Sequence, residues 1–392
     1  MGNTVFDFEE QFRRAINNST VLADFWKPEH LKSTSKANFL RYIQVVDSLL
    51  KSKEIQSHNM RISSQFIERA ISQTQTDDSL SKLFAFYAYS QFPERFASLG
   101  EDIGLKIKKQ YGCLEFNPFR RHDRSQPIRI SSTTFPNSFP NHTASYLIGE
   151  NLIDYEKITR FKKRLDMVFR NNFFFDQHLR ENKRQLYNLK VMLYELVSNV
   201  LIHGRQHHPT THGNVSTSGA NFWFLRLEID KFANAEEYES FFEKRPHFKA
   251  YSKFLIKRTE NMRKIGKTLG GESGNLKIVS ISIYDNGDGI VEHYIKNSGK
   301  TVSNRQQLFF DIVKKNLTST PYSGAGEGLG NAFDSIYRLS GAVSIRTNEI
   351  WSVASAEDKK LSLINNNDVD KSCLAGTAYT ILLPTTSSYN PV

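Results

Sequence analysis

The stretch Leu193–Gly204, LYELVSNVLIHG, decides how the rest of the chain is read. Leu189, Leu193, Leu196 and Val200 recur at three- and four-residue spacing and form one apolar stripe, which predicts an amphipathic helix. Glu195 and Asn199 lie four residues apart and share the opposite face. A carboxylate and a carboxamide aimed together off an otherwise buried helix cost free energy unless something binds them. Two readings stay open on this stretch alone: ordinary solvated side chains, or one wall of a site.

The stretch has three counterparts downstream. Leu276–Ile290, LKIVSISIYDNGDGI, alternates Val279, Ile281 and Ile283 with serines, which predicts a strand with one buried face. It ends at Asp285, and Gly287 and Gly289 follow at positions that permit a tight turn and close ligand approach. In isolation DNG and DG are ordinary turn formers. Pro321–Asn331, PYSGAGEGLGN, has glycine at 324, 326, 328 and 330 and leads into the helical run AFDSIYRLSG. Unshielded backbone amides before a helix N-terminus favour a polyphosphate. The preceding NLTSTPYS does not read as a strand, which argues against a Rossmann turn. Last come the strand AVSIR and then Gly376-Thr377 opening the strand TAYTILLP.

In this order the four parts resemble the GHKL ATP-binding superfamily of gyrase B, the ninety-kilodalton heat-shock chaperones, histidine kinases and MutL. The parts are Glu-x-x-x-Asn on a helix, a strand ending Asp-x-Gly-x-Gly, a Gly-x-Gly-x-Gly loop before a helix, and Gly-Thr on a late strand. The ELVSNVLIHG wording looks most like compact anti-sigma-factor serine kinases and related stand-alone ATP-binding proteins. The resemblance implies an α+β fold, the GHKL (Bergerat) α/β sandwich with a mixed sheet, over residues 125–392. It implies ATP and Mg²⁺ as cofactors. Asn199 would coordinate Mg²⁺, and Glu195 would be the general base or water-orienting residue. Asp285 would accept from the adenine amino group with Thr377 in support. Gly287 and Gly289 would let the nucleotide sit against the turn, and Gly324, Gly326, Gly328 and Gly330 would form a lid over the phosphates. Asn331 departs from the usual pattern, which has an apolar residue there, and the insertion at about 231–275 departs from the compact members.

Residues 1–124 read as a mainly helical regulatory or interaction domain. FDFEEQFRRAINN, FLRYIQVVDSLLKSKEI and SLSKLFAFYAYSQF carry helical spacing, and no catalytic constellation accompanies them. Asn117–His142 reads as a linker that holds one short strand, IRISSTTF, and YEKITRFKKRLDMVFRN as a further basic helix. Phe222–Ile229, FWFLRLEI, alternates as a strand. Within the insertion, Lys249, Lys253 and Lys257 form one basic stripe along a helix, read as a solvated face or as a contact for nucleic acid. Gly266-Lys267-Thr268 imitates the end of a P-loop, but Asn261 stands where that motif needs its first glycine. His203, His207, His208 and His212 crowd one segment without a recognised zinc spacing.

The 392 residues carry a net charge of +11, which suits an acidic partner, and 39% hydrophobic content, which is ordinary for a globular chain. No apolar run reaches the length of a membrane span. MGNTVFDFEEQF does not read as a signal peptide, and Phe6 breaks the myristoylation pattern. Cys113 and Cys373 provide no disulfide framework, so a cytoplasmic setting without membrane contact is expected. Partners expected beyond ATP are a protein docking on the N-terminal domain and nucleic acid on the basic insertion; a homodimer stays open. Three activities follow from the resemblance: an ATPase switch first, then a Ser/Thr protein kinase, then a non-catalytic nucleotide-gated nucleic-acid-binding module.

Overall fold

The structure is a computed structural model that describes residues 40, 44, 132–134, 143–150, 183–203, 222–232, 235–268, 276–285, 287–314, 328–364 and 374–386. In chain order these form β1 (Ser132–Thr134), β2 (Thr143–Glu150), α1 (Lys183–His203), β3 (Phe222–Lys231) and α2 (Ala235–Glu243). A 3-10 turn (Pro246–Phe248) leads into α3 (Lys249–Thr268). Then come β4 (Leu276–Asp285), α4 (Ile290–Ser298), α5 (Arg305–Lys314), α6 (Gly328–Arg338), β5 (Ala342–Asn348), β6 (Ile350–Ser355), β7 (Ser362–Leu363) and β8 (Leu374–Thr386). The class is α+β, as the sequence predicts. Most of the expected N-terminal helical domain, the helix expected at 155–171 and the four-histidine segment after His203 lie outside the described residues.

The strands make one eight-stranded sheet in the order β1-β2-β3-β4-β8-β5-β6-β7. Every pairing in it is antiparallel, which corrects the expected mixed sheet. The reason lies in the connections. β5 and β6 form a tight hairpin, with Thr347 opposite Ile350, and β8 runs antiparallel to both of its neighbours, β4 and β5. β3, β4, β8, β5 and β6 are its five-stranded centre.

Alternation along β4 sets which layer covers which face. Val279, Ile281 and Ile283 join Val343, Ile345, Tyr379, Ile381 and Leu383 in a core sealed by α1, α4, α5 and α6. From α1 this core takes Leu189, Met192, Leu193, Leu196 and Val197, all essentially inaccessible. Burying side chains of this size stabilises by about 1.5–3 kcal/mol each, which anchors the helix through Leu189, Leu193 and Leu196 of the predicted stripe, with Met192 and Val197 added.

The opposite face of the sheet is covered by the insertion. Tyr238, Phe241, Phe242, Phe248, Tyr251 and Leu255 pack on Ile278, Ala342 and Leu382. The Tyr251 hydroxyl donates to the Ser340 carbonyl at 2.8 Å and reaches the Leu382 carbonyl at 3.3 Å. The segment 235–268 is thus a structural layer, and Lys249, Lys253 and Lys257 stand exposed on its outer side. No helix among the described residues is long and apolar enough to cross a membrane.

Candidate functional site

Two groups of polar residues stand out from this framework. The first sits where α1 meets α6. Glu195 and Asn199 lie on α1, flanked by the buried Leu196 and Val197, and both are half-buried. Gly328 opens α6 directly against them: a Cβ there would stand 2.7 Å from Glu195 Oε2 and 3.7 Å from Asn199 Nδ2. Only a glycine lets the start of α6 approach the carboxylate this closely. The partial positive charge of a helix N-terminus favours an anion at that point.

Asn199 Nδ2 is buried and has no hydrogen-bond partner among the described residues. An unsatisfied buried amide costs about 1–3 kcal/mol. A phosphate oxygen would remove that cost, and the carbonyl oxygen of the same amide is the donor type Mg²⁺ takes. The residues present therefore fit the magnesium and phosphate end of a nucleotide. Gly330 lies in the first turn of α6 and is half-buried, and Asn331, the departure from the GHKL pattern, is exposed. Gly324 and Gly326 lie outside the described residues.

The second group lies across three neighbouring strands. Asp285 ends β4, Thr377 is its register partner on β8, and Thr347 is the partner of Thr377 on β5. All three are buried: 4%, 3% and 0% exposed. The Thr347 and Thr377 hydroxyls are 3.3 Å apart. Asp285 Oδ1 accepts the Gly287 N–H at 2.9 Å, closing the turn in the way Asp does in an Asx turn. The Gly376 N–H donates to the Gly287 carbonyl at 2.7 Å, so the turn is also tied to β8. Tyr379, two residues beyond Thr377, is held protonated to very high pH by burial and by the Asp285 charge.

Gly289 leaves the turn with φ +83, in the region that favours glycine. A Cβ there would stand 2.6 Å from Asn348 Oδ1 and 2.8 Å from Thr347 Oγ1. The close approach at Gly289 is therefore to the protein's own side chains. Thr347 Oγ1 accepts the Ile290 N–H at 2.9 Å, and Asn348 Nδ2 donates to the Asp288 carbonyl at 2.8 Å. Arg305 ties α4 to the β5–β6 hairpin through Glu292 at 2.9 Å and Glu349 at 2.6 Å.

The sequence reading missed Thr347 and Asn348. AVSIR reads as a strand that stops one residue before Thr347, and only the pairing of β5 with β8 brings that hydroxyl beside Thr377. Gln44 was also missed: its side-chain amide reaches the carbonyls of Arg346 and Gly376 from the far N-terminal part of the chain. Compared with protein-family models, curated proteins and solved structures, the chain matches none.

Proposed function

We propose that this chain binds Mg·ATP and hydrolyses it as a nucleotide-dependent conformational switch, on a fold of the GHKL type. The observation that carries the reading is the gathering of Glu195 and Asn199 against Gly328, with Asn199 Nδ2 buried and unsatisfied among the described residues. In this reading Asn199 Oδ1 would hold Mg²⁺, which would supply charge to offset that of the phosphates. The α6 amides beginning at Gly328 orient the terminal phosphate. Glu195 takes the proton of the attacking water. Asp285, with Thr377 beside it, accepts from an exocyclic amine at the far end of the ligand.

The test is phosphate release by the purified chain beside E195A, with thermal shifts by Mg·ATP on wild type, N199A and D285N. Release is expected to fall at least 100-fold in E195A, the scale on which general-base catalysis contributes. The ATP-induced shift is expected to shrink in the other two variants. Equal release by wild type and E195A would discard hydrolysis, and equal shifts in all three proteins would discard the site. Label passing from γ-labelled ATP to a co-purifying protein would replace hydrolysis with kinase activity at the same carboxylate.

A further inference from the structure

Leu40 and Gln44 are both helical and buried. Gln44 is 0% exposed. Its Nε2 donates to the Arg346 carbonyl at 3.2 Å and to the Gly376 carbonyl at 3.4 Å, so one amide spans β5 and β8. The two strands need a link at that place. Their register runs evenly to Thr347 opposite Thr377 and then jumps to Asn348 opposite Leu374. Gly376 sits inside the jump with φ 73. A bulge of this kind interrupts the ladder and re-aims the next side chain, here Thr377.

Gly376 is also a junction. Its N–H goes to the Gly287 carbonyl, and its carbonyl accepts from Gln44 and, at 3.4 Å, from the Thr347 hydroxyl. A displacement of Gly376 is passed on both to Thr377 and to the turn that holds Asp285.

We propose that Gln44 is a positioning residue for base selection, fixing Gly376 so that Thr377 and Asp285 present their acceptors to an exocyclic amine. The inference rests on the nucleotide reading above and adds a determinant to it. A glutamine suits the task because its NH₂ group brings two donors to two carbonyls. A glutamate of the same shape would set acceptor against acceptor. Adenine offers an amine to Asp285, where guanine offers a carbonyl, so loss of the alignment falls on the choice between the two bases more than on phosphate binding. By linkage, any partner that shifts Gln44 alters base affinity, and the nucleotide alters that partner's affinity by the same factor.

The experiment uses full-length protein with Q44M, which keeps the shape and removes the donors, and Q44E; should Q44E not fold, Q44M carries the test. Backbone amide exchange is read without nucleotide over residues 284–290 and 374–380, with the start of α6 as reference, and ATP and GTP affinities are read by calorimetry. Faster exchange at the two segments but not at α6 is expected, together with a fall of about 5–10-fold in the ATP-to-GTP affinity ratio. Unchanged exchange overturns the proposal whether or not ATP binds. Faster exchange with an unchanged ratio overturns it as a specificity device and leaves Gln44 a structural residue. Wild-type protein that binds neither nucleotide overturns base selection together with the nucleotide reading, and the exchange data then still decide whether Gln44 holds the junction.

Discussion

Two glycines of the site differ in what a methyl group would disturb. At Gly328 the nearest atom is the far end of a flexible glutamate, Glu195 Oε2 at 2.7 Å. The carboxylate can swing aside, so Gly328→Ala is expected to change stability by less than about 1 kcal/mol. On the proposed hydrolysis the same swing would misplace Glu195, and turnover is then expected to fall about 100-fold, the cost of a displacement near 1 Å. At Gly289 the obstacles are Asn348 and Thr347, both engaged in hydrogen bonds to the backbone, and φ is +83. Gly289→Ala is expected to destabilise by about 2–4 kcal/mol, strain and overpacking combined. Urea unfolding midpoints and single-turnover rates for the two variants separate the effects; reversed outcomes would contradict the roles assigned. The places of Glu195 and Asn199 on one helix, and of Asp285 at a strand end before a glycine turn, were legible because those patterns are local. Thr347 and Gln44 were not, since a hydroxyl and an amide reveal nothing until distant strands pair.

At the scale of elements, α3 has two faces, and only one was legible. Lysine every fourth residue announced a basic helix, and Lys249, Lys253 and Lys257 are exposed as that pattern predicts. The apolar face between them was written in the same turns, as Tyr251 and Leu255, but the charge count drew the reading outward. Tyr251→Phe removes the donor to Ser340 and Leu382 and leaves buried carbonyls behind. A loss of about 1–3 kcal/mol is expected in urea unfolding. A loss below about 0.5 kcal/mol would show that water replaces the hydroxyl. Helices α4 and α5 were missed although α4 carries Ile290, Val291, Tyr294 and Ile295 at helical spacing and ends at Gly299 with φ 63, a regular helix stop. The strand signal of Leu276–Asp285 ran so clearly into its turn that the segment after it went unread.

Across the whole molecule, the α+β class implied by the resemblance holds, whereas the mixed strand direction it implies does not. Strand direction depends on which segment lies beside which, and the amino acids of β8 do not name β4 and β5 as neighbours. The packed interior also carries a pH dependence. Burial raises the hydroxyls of Tyr238 and Tyr337 from their ordinary value of 10.0 to about 12, and holds Tyr251 and Tyr379 well above that ordinary value. In each the folded state holds its proton more tightly than the unfolded chain does. Their contribution is complete below pH 10 and is lost as pH rises through the folded values, because the unfolded state then binds fewer protons. Unfolding midpoints are expected to be flat in this respect up to about pH 9.5 and to fall between pH 10 and 12. Tyr238→Phe is expected to make that fall shallower; an identical profile would assign the alkaline loss to other groups.

The place of β8 in the sheet has a consequence for how the protein is made. β4 is complete once Asp285 has been synthesised, and β5 once Asn348 has, yet the strand that joins them begins only at Leu374. At about 5–20 residues per second, the ribosome leaves the free edge of β4 waiting for roughly 5–20 s. For the last part of that interval, once β5 has also been made, a nascent chain presents two unpaired strand edges, the kind that invites pairing with a neighbour on the same polysome. A holdase that shields Ile281 and Ile345 until Thr377 emerges would decide how much of each round of translation ends as native protein.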